Sequence, residues 1–164
     1  MGNNQFISIG AITLLALISL RFDSTVLENK QTEVENKVYL TAFSLADDLI
    51  EEIKQKAFDE QTVEWRAIAT NQLTTADSFG PVDLGESSVN NFDDIDDYNG
   101  YNKKVSAPHV ENYLITSTVD YVSASDPDET SLVQTYFKRV TVRVSSPYLS
   151  HPVRLSFVFT LHSK

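Results

Sequence analysis

The chain opens with a long stretch of uncharged residues. The side chains from Phe6 to Leu20 are almost all apolar, and Arg21 carries the first charge. As an α-helix, about twenty residues extend roughly 30 Å, which matches the hydrocarbon core of a bilayer. The pattern therefore predicts a helix that needs apolar surroundings on every side.

Three interpretations of this stretch differ in what surrounds it. A cleaved secretory signal has a basic start and a small-residue cleavage site; no Lys or Arg precedes Phe6, and no A-x-A pattern stands directly after Leu20. A permanent single-span anchor is physically sound. The third is a helix that lies in the membrane first and in a filament core later, which we favour. The polymerisation core would comprise Phe6, Ile7, Ile9, Gly10, Ile12, Leu14, Leu15, Leu17, Ile18 and Leu20.

The helical pattern continues past Arg21 with a different distribution of polar residues. Residues 21–58 contain no Gly or Pro and are rich in good helix formers. Apolar residues recur every three or four positions, so one face is apolar and the other charged. We predict one helix from about residue 6 to 58, whose second half packs on a head through Val34, Val38, Ala42, Leu45, Leu49 and Ile53.

The C-terminal third alternates with a period of two, which is typical of half-buried strands. Three stretches show it, at 113–122, 136–145 and 153–161, and turn-like segments connect them. Short connections favour an antiparallel meander whose apolar face covers the helix. The predicted class is α+β, with an apolar helix at 1–22, an amphipathic helix at 23–60, an αβ-loop region at 61–111 and a β head at 112–164.

An acidic-aromatic turn lies in the αβ-loop region. Phe92, Ile95, Tyr98 and Tyr101 recur every third residue, which predicts one apolar edge of a 3₁₀-like or helical turn. Between them stand four carboxylates that repel one another unless a cation or a basic group intervenes: Asp93, Asp94, Asp96 and Asp97. Hard oxygen ligands suit Ca²⁺, although the spacing is not that of an EF-hand. We favour the other interpretation, a solvated acidic turn in which one or two aspartates cap backbone amides and the aromatic side chains are tucked under the head.

Charge and composition exclude several classes of function. The net charge is -10, with 23 acidic and 13 basic residues, so a nucleic-acid partner is not indicated. There is no cysteine, and the three histidines lack metal-ligand spacing. No nucleophile motif or phosphate-binding glycine loop is present. We expect no enzymatic activity and no cofactor, with Ca²⁺ at the acidic turn as the one candidate.

The order of elements resembles type IV pilins and the related pseudopilins. AFSLADDLIEEIKQKAFDE (42–60) followed by FDDIDDYNGY (92–101) is similar to minor pilins of the mannose-sensitive haemagglutinin kind, and KRVTVRVSSP (138–147) fits the same pattern. The resemblance covers most of the chain. It implies a bacterial protein that enters the inner membrane, meets an assembly machinery there and polymerises through its apolar helix into an adhesive surface fibre.

One departure from that family concerns the fifth mature position. Pilins have a basic leader ending in Gly and a Glu that neutralises a neighbour's amino terminus. Here position five is Gln5 if Met1 is the mature start, or Ile7 if Gly2 ends a leader. We therefore expect a pilin-like filament subunit more than a standard pilin. The alternatives are a minor pilin or pseudopilin of a secretion or pilus machine, and a membrane-anchored binding module with a Ca²⁺-stabilised loop.

Overall fold

A computed structural model describes residues 2–64, 67–81, 88–107 and 110–161. The chain divides into two compact units, Met1–Lys37 and Val38–Lys164. The first helix, α1, runs from Gly2 to Ile53 and so contributes to both. The α+β class, with a long N-terminal helix and an antiparallel sheet that packs on it, is confirmed.

The first unit consists of α1 alone. Its hydroxyl side chains bond back to the helix: Thr13 Oγ1 donates to the Ile9 carbonyl at 2.6 Å and Thr25 Oγ1 to the Arg21 carbonyl at 2.9 Å. Such bonds satisfy a hydroxyl without an outside partner. Polar atoms within the apolar stretch therefore do not prevent it from lying in apolar surroundings.

The helix ends earlier than the pattern predicted, at Ile53 instead of about Phe58. After Ile53 the backbone tightens into a turn, with Lys56 N–H donating to the Ile53 carbonyl at 3.0 Å. Ala57 then pairs with the acidic-aromatic turn: its N–H donates to Asp93 O at 2.9 Å, and its carbonyl accepts from Ile95 N–H at 3.0 Å. Long-range pairing thus ends a helix that local propensity would continue.

The second unit contains one sheet of four strands in the order β1-β2-β3-β4, all antiparallel. The strands are β1 Asn102–Ala107, β2 Val110–Tyr121, β3 Phe137–Ser145 and β4 Val153–Thr160. The antiparallel meander is confirmed. Strand β1 was not predicted, because its side chains are mostly exposed and no alternation appears. As an edge strand it carries Lys103 and Lys104, charges that discourage pairing with another chain.

Short elements connect α1 to the sheet. They are α2 at Glu60–Glu64 and 3₁₀ turns at Thr70–Gln72, Ala76–Ser78, Val89–Asn91 and Asp96–Tyr98. At the end of the last turn Gly100 has φ +77°, a conformation that favours glycine.

The core of the second unit lies between α1 and the sheet. From α1 it includes Val38, Ala42, Ala46, Leu49, Ile50 and Ile53, and from the sheet Tyr113, Ile115, Val119, Val140, Val142, Val144 and Val153. Phe157 is 39% exposed, although the period of two in the stretch 153–161 gives it the same phase as the buried Val153. It belongs to the edge strand β4, where the Lys54 ammonium lies 4.2 Å from the ring centroid.

The acidic-aromatic turn is anchored to both layers. The rings of Phe92 and Tyr98 pack edge to face, with their centroids 5.1 Å apart. Tyr98 is buried, and its hydroxyl donates a hydrogen bond to Glu52 Oε1 at 2.9 Å. Ser117 Oγ, on the inward face of β2, donates to the Tyr98 carbonyl at 2.6 Å. The predicted 3₁₀ turn with a buried apolar edge is thus present at Asp96–Tyr98.

Candidate functional site

The apolar segment, Phe6–Leu20, lies wholly exposed in the first unit. Its nine large apolar side chains are between 57% exposed (Leu17 and Ile18) and 76% exposed (Phe6). A Cβ added at Gly10 would meet nothing within 4 Å. The residues predicted to form a polymerisation core are therefore helical and uncovered.

By length and composition this helix can cross a membrane. An 18-residue stretch near its N-terminus has a mean hydropathy of 1.8, and none of that stretch is buried. One such helix is weak evidence of membrane association, because signal sequences pass the same test. The exposed apolar surface shows only that the segment needs apolar surroundings, which lipid or other proteins can supply.

Apolar exposure continues along α1 beyond Leu20. In the first unit Phe22, Val26, Leu27 and Val34 are 71%, 40%, 67% and 54% exposed. In the second unit, Tyr39, Leu40 and Phe43 remain 50%, 65% and 42% exposed on α1. We call the four residues of the first unit the outer stripe: Phe22, Val26, Leu27 and Val34. A span of about twenty residues that ends at Leu20 does not include them.

The predicted packing face of α1 is divided by the structure. Val38, Ala42, Leu49 and Ile53 are buried, and Leu45 is partly buried against the same core. Val34 is exposed and belongs to the first unit. The packed face therefore begins one helical turn later, at Val38, and includes Ala46 and Ile50, which the sequence marks as the flank of the same face.

A second site lies inside the head, where a lysine is buried among aspartates. The Lys138 cluster consists of Lys138, Asp59, Asp94, Asp96 and Tyr121, each at most 2% exposed. Lys138 Nζ lies 2.6 Å from Asp59 Oδ2 and 2.6 and 2.7 Å from the two oxygens of Asp96. It also donates to the Phe58 carbonyl at 2.9 Å. One ammonium thus has two carboxylates within direct contact.

Two elements bring Lys138 and Asp96 together. Lys138 occupies an inward position of β3, in phase with the buried Val140, Val142 and Val144. Asp96 opens the 3₁₀ turn Asp96–Tyr98. Lys138 was not among the predicted site residues, although the alternation in β3 places residue 138 on the buried face.

Asp59 is stabilised as a carboxylate. It accepts from Thr74 N–H at 3.1 Å, from Thr74 Oγ1 at 3.0 Å, from Gln61 N–H at 3.1 Å and from the Tyr121 hydroxyl at 3.1 Å. Burial alone raises its pKa, but the charge and hydrogen bond of Lys138 and these N–H donors hold the pKa of Asp59 below its ordinary value. Asp59 is therefore ionised.

Asp96 and Asp94 have the opposite character. Burial outweighs the attraction of Lys138 and raises the pKa of Asp96 to about 7. Burial, with the nearby charges of Asp96 and Asp97, raises the pKa of Asp94 to about 8. Asp94 Oδ2 is buried without a hydrogen-bond partner. The cluster therefore combines one ionised carboxylate with carboxyls that tend to keep their protons.

Aromatic rings enclose the ammonium. The ring centroids of Phe58, Phe79 and Tyr121 lie 4.7, 5.0 and 5.1 Å from Lys138 Nζ. The rings attract the cation and exclude water from it. Burial and the Asp59 charge raise the pKa of the Tyr121 hydroxyl, so it remains a donor; besides Asp59 it donates to the Thr74 carbonyl at 2.8 Å.

The four aspartates predicted as Ca²⁺ ligands are used in different ways. Asp93 is exposed, whereas the other three are buried, so the turn is not a solvated one. Asp97 Oδ2 accepts from the N–H groups of Asp93 and Asp94 at 3.0 and 3.3 Å, and Asp94 Oδ1 accepts from Asp97 N–H at 3.1 Å. The expected capping of backbone amides is present. For Asp96, the intervening cation is Lys138.

Within the part of the chain that the structure describes, no group of three or more His, Cys, Asp or Glu side chains is arranged to hold a metal ion. His109 and His162 lie outside that part. Ca²⁺ binding stays a prediction from the sequence.

Asp94→Asn is expected to change how stability depends on pH. The pKa of the Asp94 carboxyl is about 8 when folded and ordinarily 3.8. Between these values the folded state holds a proton that the unfolded state has lost, so the free energy of unfolding falls as pH rises. Asn does not ionise, so the variant does not lose this stability as pH rises. The variant should exceed the wild type by several kcal/mol at pH 9 and nearly match it at pH 4.

Urea unfolding of the full chain in detergent at both pH values measures this difference. Asp93→Asn, an exposed neighbour in the same acidic run, is the matched control and should follow the wild type. An equal effect of Asp94→Asn at both pH values would contradict the assignment of a retained proton to Asp94.

Comparison with known proteins gives no relative. A scan against family models, a search of curated proteins and a search of solved structures found no match to this chain.

Proposed function

We propose that the chain is a structural subunit of an extracellular pilin-like filament that polymerises through its N-terminal helix. The observation that carries the proposal is the exposure of the apolar segment around its whole circumference, with every large side chain at least 57% exposed. Leaving this surface in water is unfavourable by about 25 cal/mol per Å². Lipid covers it before assembly and copies of the same helix cover it afterwards.

The outer stripe favours copies of the chain over lipid alone. An anchor needs only the apolar segment, and its helix could be polar from Arg21 onward. Instead large apolar side chains, including Phe22, Leu27 and Val34, remain exposed along α1 well past Leu20. If α1 packs against the α1 helices of neighbouring copies, the same partner covers both the apolar segment and the outer stripe.

The charge of the chain suits this arrangement. A net charge of -10 on 164 residues keeps exposed heads in water and apart except where specific contacts form. The role of the chain is then structural and not catalytic. Its partners are itself and, before assembly, the inner membrane with its assembly machinery.

Fibres sheared from the surface of cells that produce the chain test the proposal. Negative-stain electron microscopy with an antibody against the head should label fibres along their length. Labelling at tips alone would indicate a minor pilin or pseudopilin. Extraction by detergent as a single disperse species, with no labelled fibre, would indicate a membrane-anchored module and would contradict the proposal.

A further inference from the structure

The contact between Lys138 and Asp96 places the nitrogen close to both oxygens of one carboxyl group. Nζ lies 2.6 Å from Asp96 Oδ1 and 2.7 Å from Oδ2. Nitrogen at nearly equal distance from both oxygens is roughly 3 Å from the carbon between them, which is within the distance at which an amine can attack. Oδ1 is buried and has no hydrogen-bond partner among the described residues, so the lysine satisfies only Oδ2.

The two carboxyls that contact Lys138 differ in reactivity. Asp59 has donors from Thr74, Gln61 and Tyr121 that stabilise its negative charge, so its carbon is a poor electrophile. Asp96 is 2% exposed, and Lys138 Nζ is the donor that its side chain accepts from. A buried carboxyl with so little stabilisation favours the neutral acid, which is the form that an amine attacks.

We propose that Lys138 and Asp96 form an intramolecular isopeptide bond, an amide between Nζ and the side-chain carbon of Asp96. Asp59 acts as the base, since its Oδ2 lies 2.6 Å from Nζ. This modification joins β3 to the 3₁₀ turn Asp96–Tyr98 and does not depend on filament assembly.

The step needs no oxidant, metal or other reactant. The Asp59 carboxylate takes one proton from the Lys138 ammonium, and the neutral amine attacks the carbon of the protonated Asp96. The new N–C bond forms, the C–OH bond breaks, and a second proton moves from nitrogen to the leaving hydroxyl, so that one water departs. The amide keeps one hydrogen, and Asp59 keeps the proton that it took.

The surroundings of the pair favour the product. Before the reaction the site buries an ammonium and a carboxylate; afterwards it buries an amide and a neutral acid, so the cost of holding charge away from water is removed. The Phe58 carbonyl, 2.9 Å from Nζ, is placed to accept the remaining amide N–H. The rings of Phe58, Phe79 and Tyr121 keep out water that would reverse the step.

The bond would serve the chain as a disulfide serves other extracellular proteins. The chain has no cysteine, and the two residues are 42 positions apart. A covalent link over that separation restricts the unfolded chain and ties the αβ-loop region to the sheet. The head would then resist forces that pull on the fibre.

Mass spectrometry of the denatured full-length chain, purified in detergent and kept overnight at pH 7, tests the proposal. The intact mass should be lower than the sequence mass by one water. After proteolysis, a branched peptide should join the segment that contains Lys138 to the segment that contains Asp96. A chain at full sequence mass would overturn the proposal whether or not any variant folds.

Variants show which two residues form the isopeptide bond. Asp96→Ala and Lys138→Met should each have their full sequence mass, while Asp93→Asn, in the same acidic run but exposed, should still lack one water. Asp59→Ala should slow or abolish the loss because the base is gone. A branch to Asp59, or a water lost within one unbranched peptide as in succinimide formation, would also overturn the proposal.

Discussion

Leu15→Asp is expected to abolish filament assembly. Leu15 lies in the middle of the apolar segment and is 69% exposed, so it is available to neighbouring helices. An unpaired carboxylate enclosed by apolar helices costs several kcal/mol, and the cost recurs in every subunit. Purified chain should be tested by removing detergent, sedimenting the product and examining the pellet by electron microscopy, because this route bypasses membrane insertion.

Leu132→Asp is the matched control for this variant. Leu132 is 96% exposed in the second unit, so the same change there adds the same charge to a surface that already meets water. Fibres should form as in the wild type, and the conservative Leu15→Met should also assemble. Fibres of normal length and number from Leu15→Asp would show that the apolar segment is not in the filament core.

Lys138→Met is expected to destabilise the head strongly. The change removes the lysine nitrogen that contacts Asp59 and Asp96, whether it is the free ammonium or part of the proposed amide, and leaves the acidic cluster buried. Removing one partner of a buried ion pair costs about 3–5 kcal/mol, and the loss of the proposed link would add to this cost. Near-ultraviolet circular dichroism during urea unfolding reports this loss, because Tyr98, Tyr113 and Tyr121 are buried in the head.

Lys37→Met is the matched control for the lysine change. Lys37 pairs with Glu33 at 2.7 Å, one turn away on the helix surface, and both side chains are more than half exposed. Exposed pairs of this kind contribute little, so unfolding of the head should not change measurably. A small effect of Lys138→Met, similar to that of Lys37→Met, would contradict the role assigned to the Lys138 cluster.

The layout of the fold could be predicted from the sequence because it follows from periodicity. The three-or-four spacing around Ala42 and Leu49 indicates a helix with one buried face, and alternation around Val140 and Val142 indicates strands. Both residues of each pair are buried where the pattern places them. Local patterns of this kind arise directly from helix and strand geometry.

Features that depend on long-range pairing could not be predicted in this way. The end of α1 at Ile53 depends on the backbone of Ala57, which pairs with residues 93–95. Strand β1 has exposed side chains, and its pairing with β2 places it in the sheet. Neither pairing leaves a periodic signal, so the sequence predicted a longer helix and one strand fewer.

The Lys138 cluster was missed for a different reason. In the alternating stretch at 136–145, Tyr136 and Val140 share one phase, and the residue of that phase between them is Lys138. A lysine at a buried strand position is costly unless carboxylates meet it, and the four aspartates at 93–97 required a cation or a basic group. Joining these two observations would have indicated the pair, but which aspartate contacts the lysine depends on the fold.

A single cysteine at position 15 tests the central claim, that copies of the apolar segment cover one another in a filament. The chain has no other cysteine, so Leu15→Cys gives one site for labelling and cross-linking. In fibres washed free of lipid, this thiol should resist a charged maleimide and should join two copies through a short cross-linker, whereas Leu132→Cys should label at once. Rapid labelling at position 15, with no cross-linked dimer, would contradict the claim.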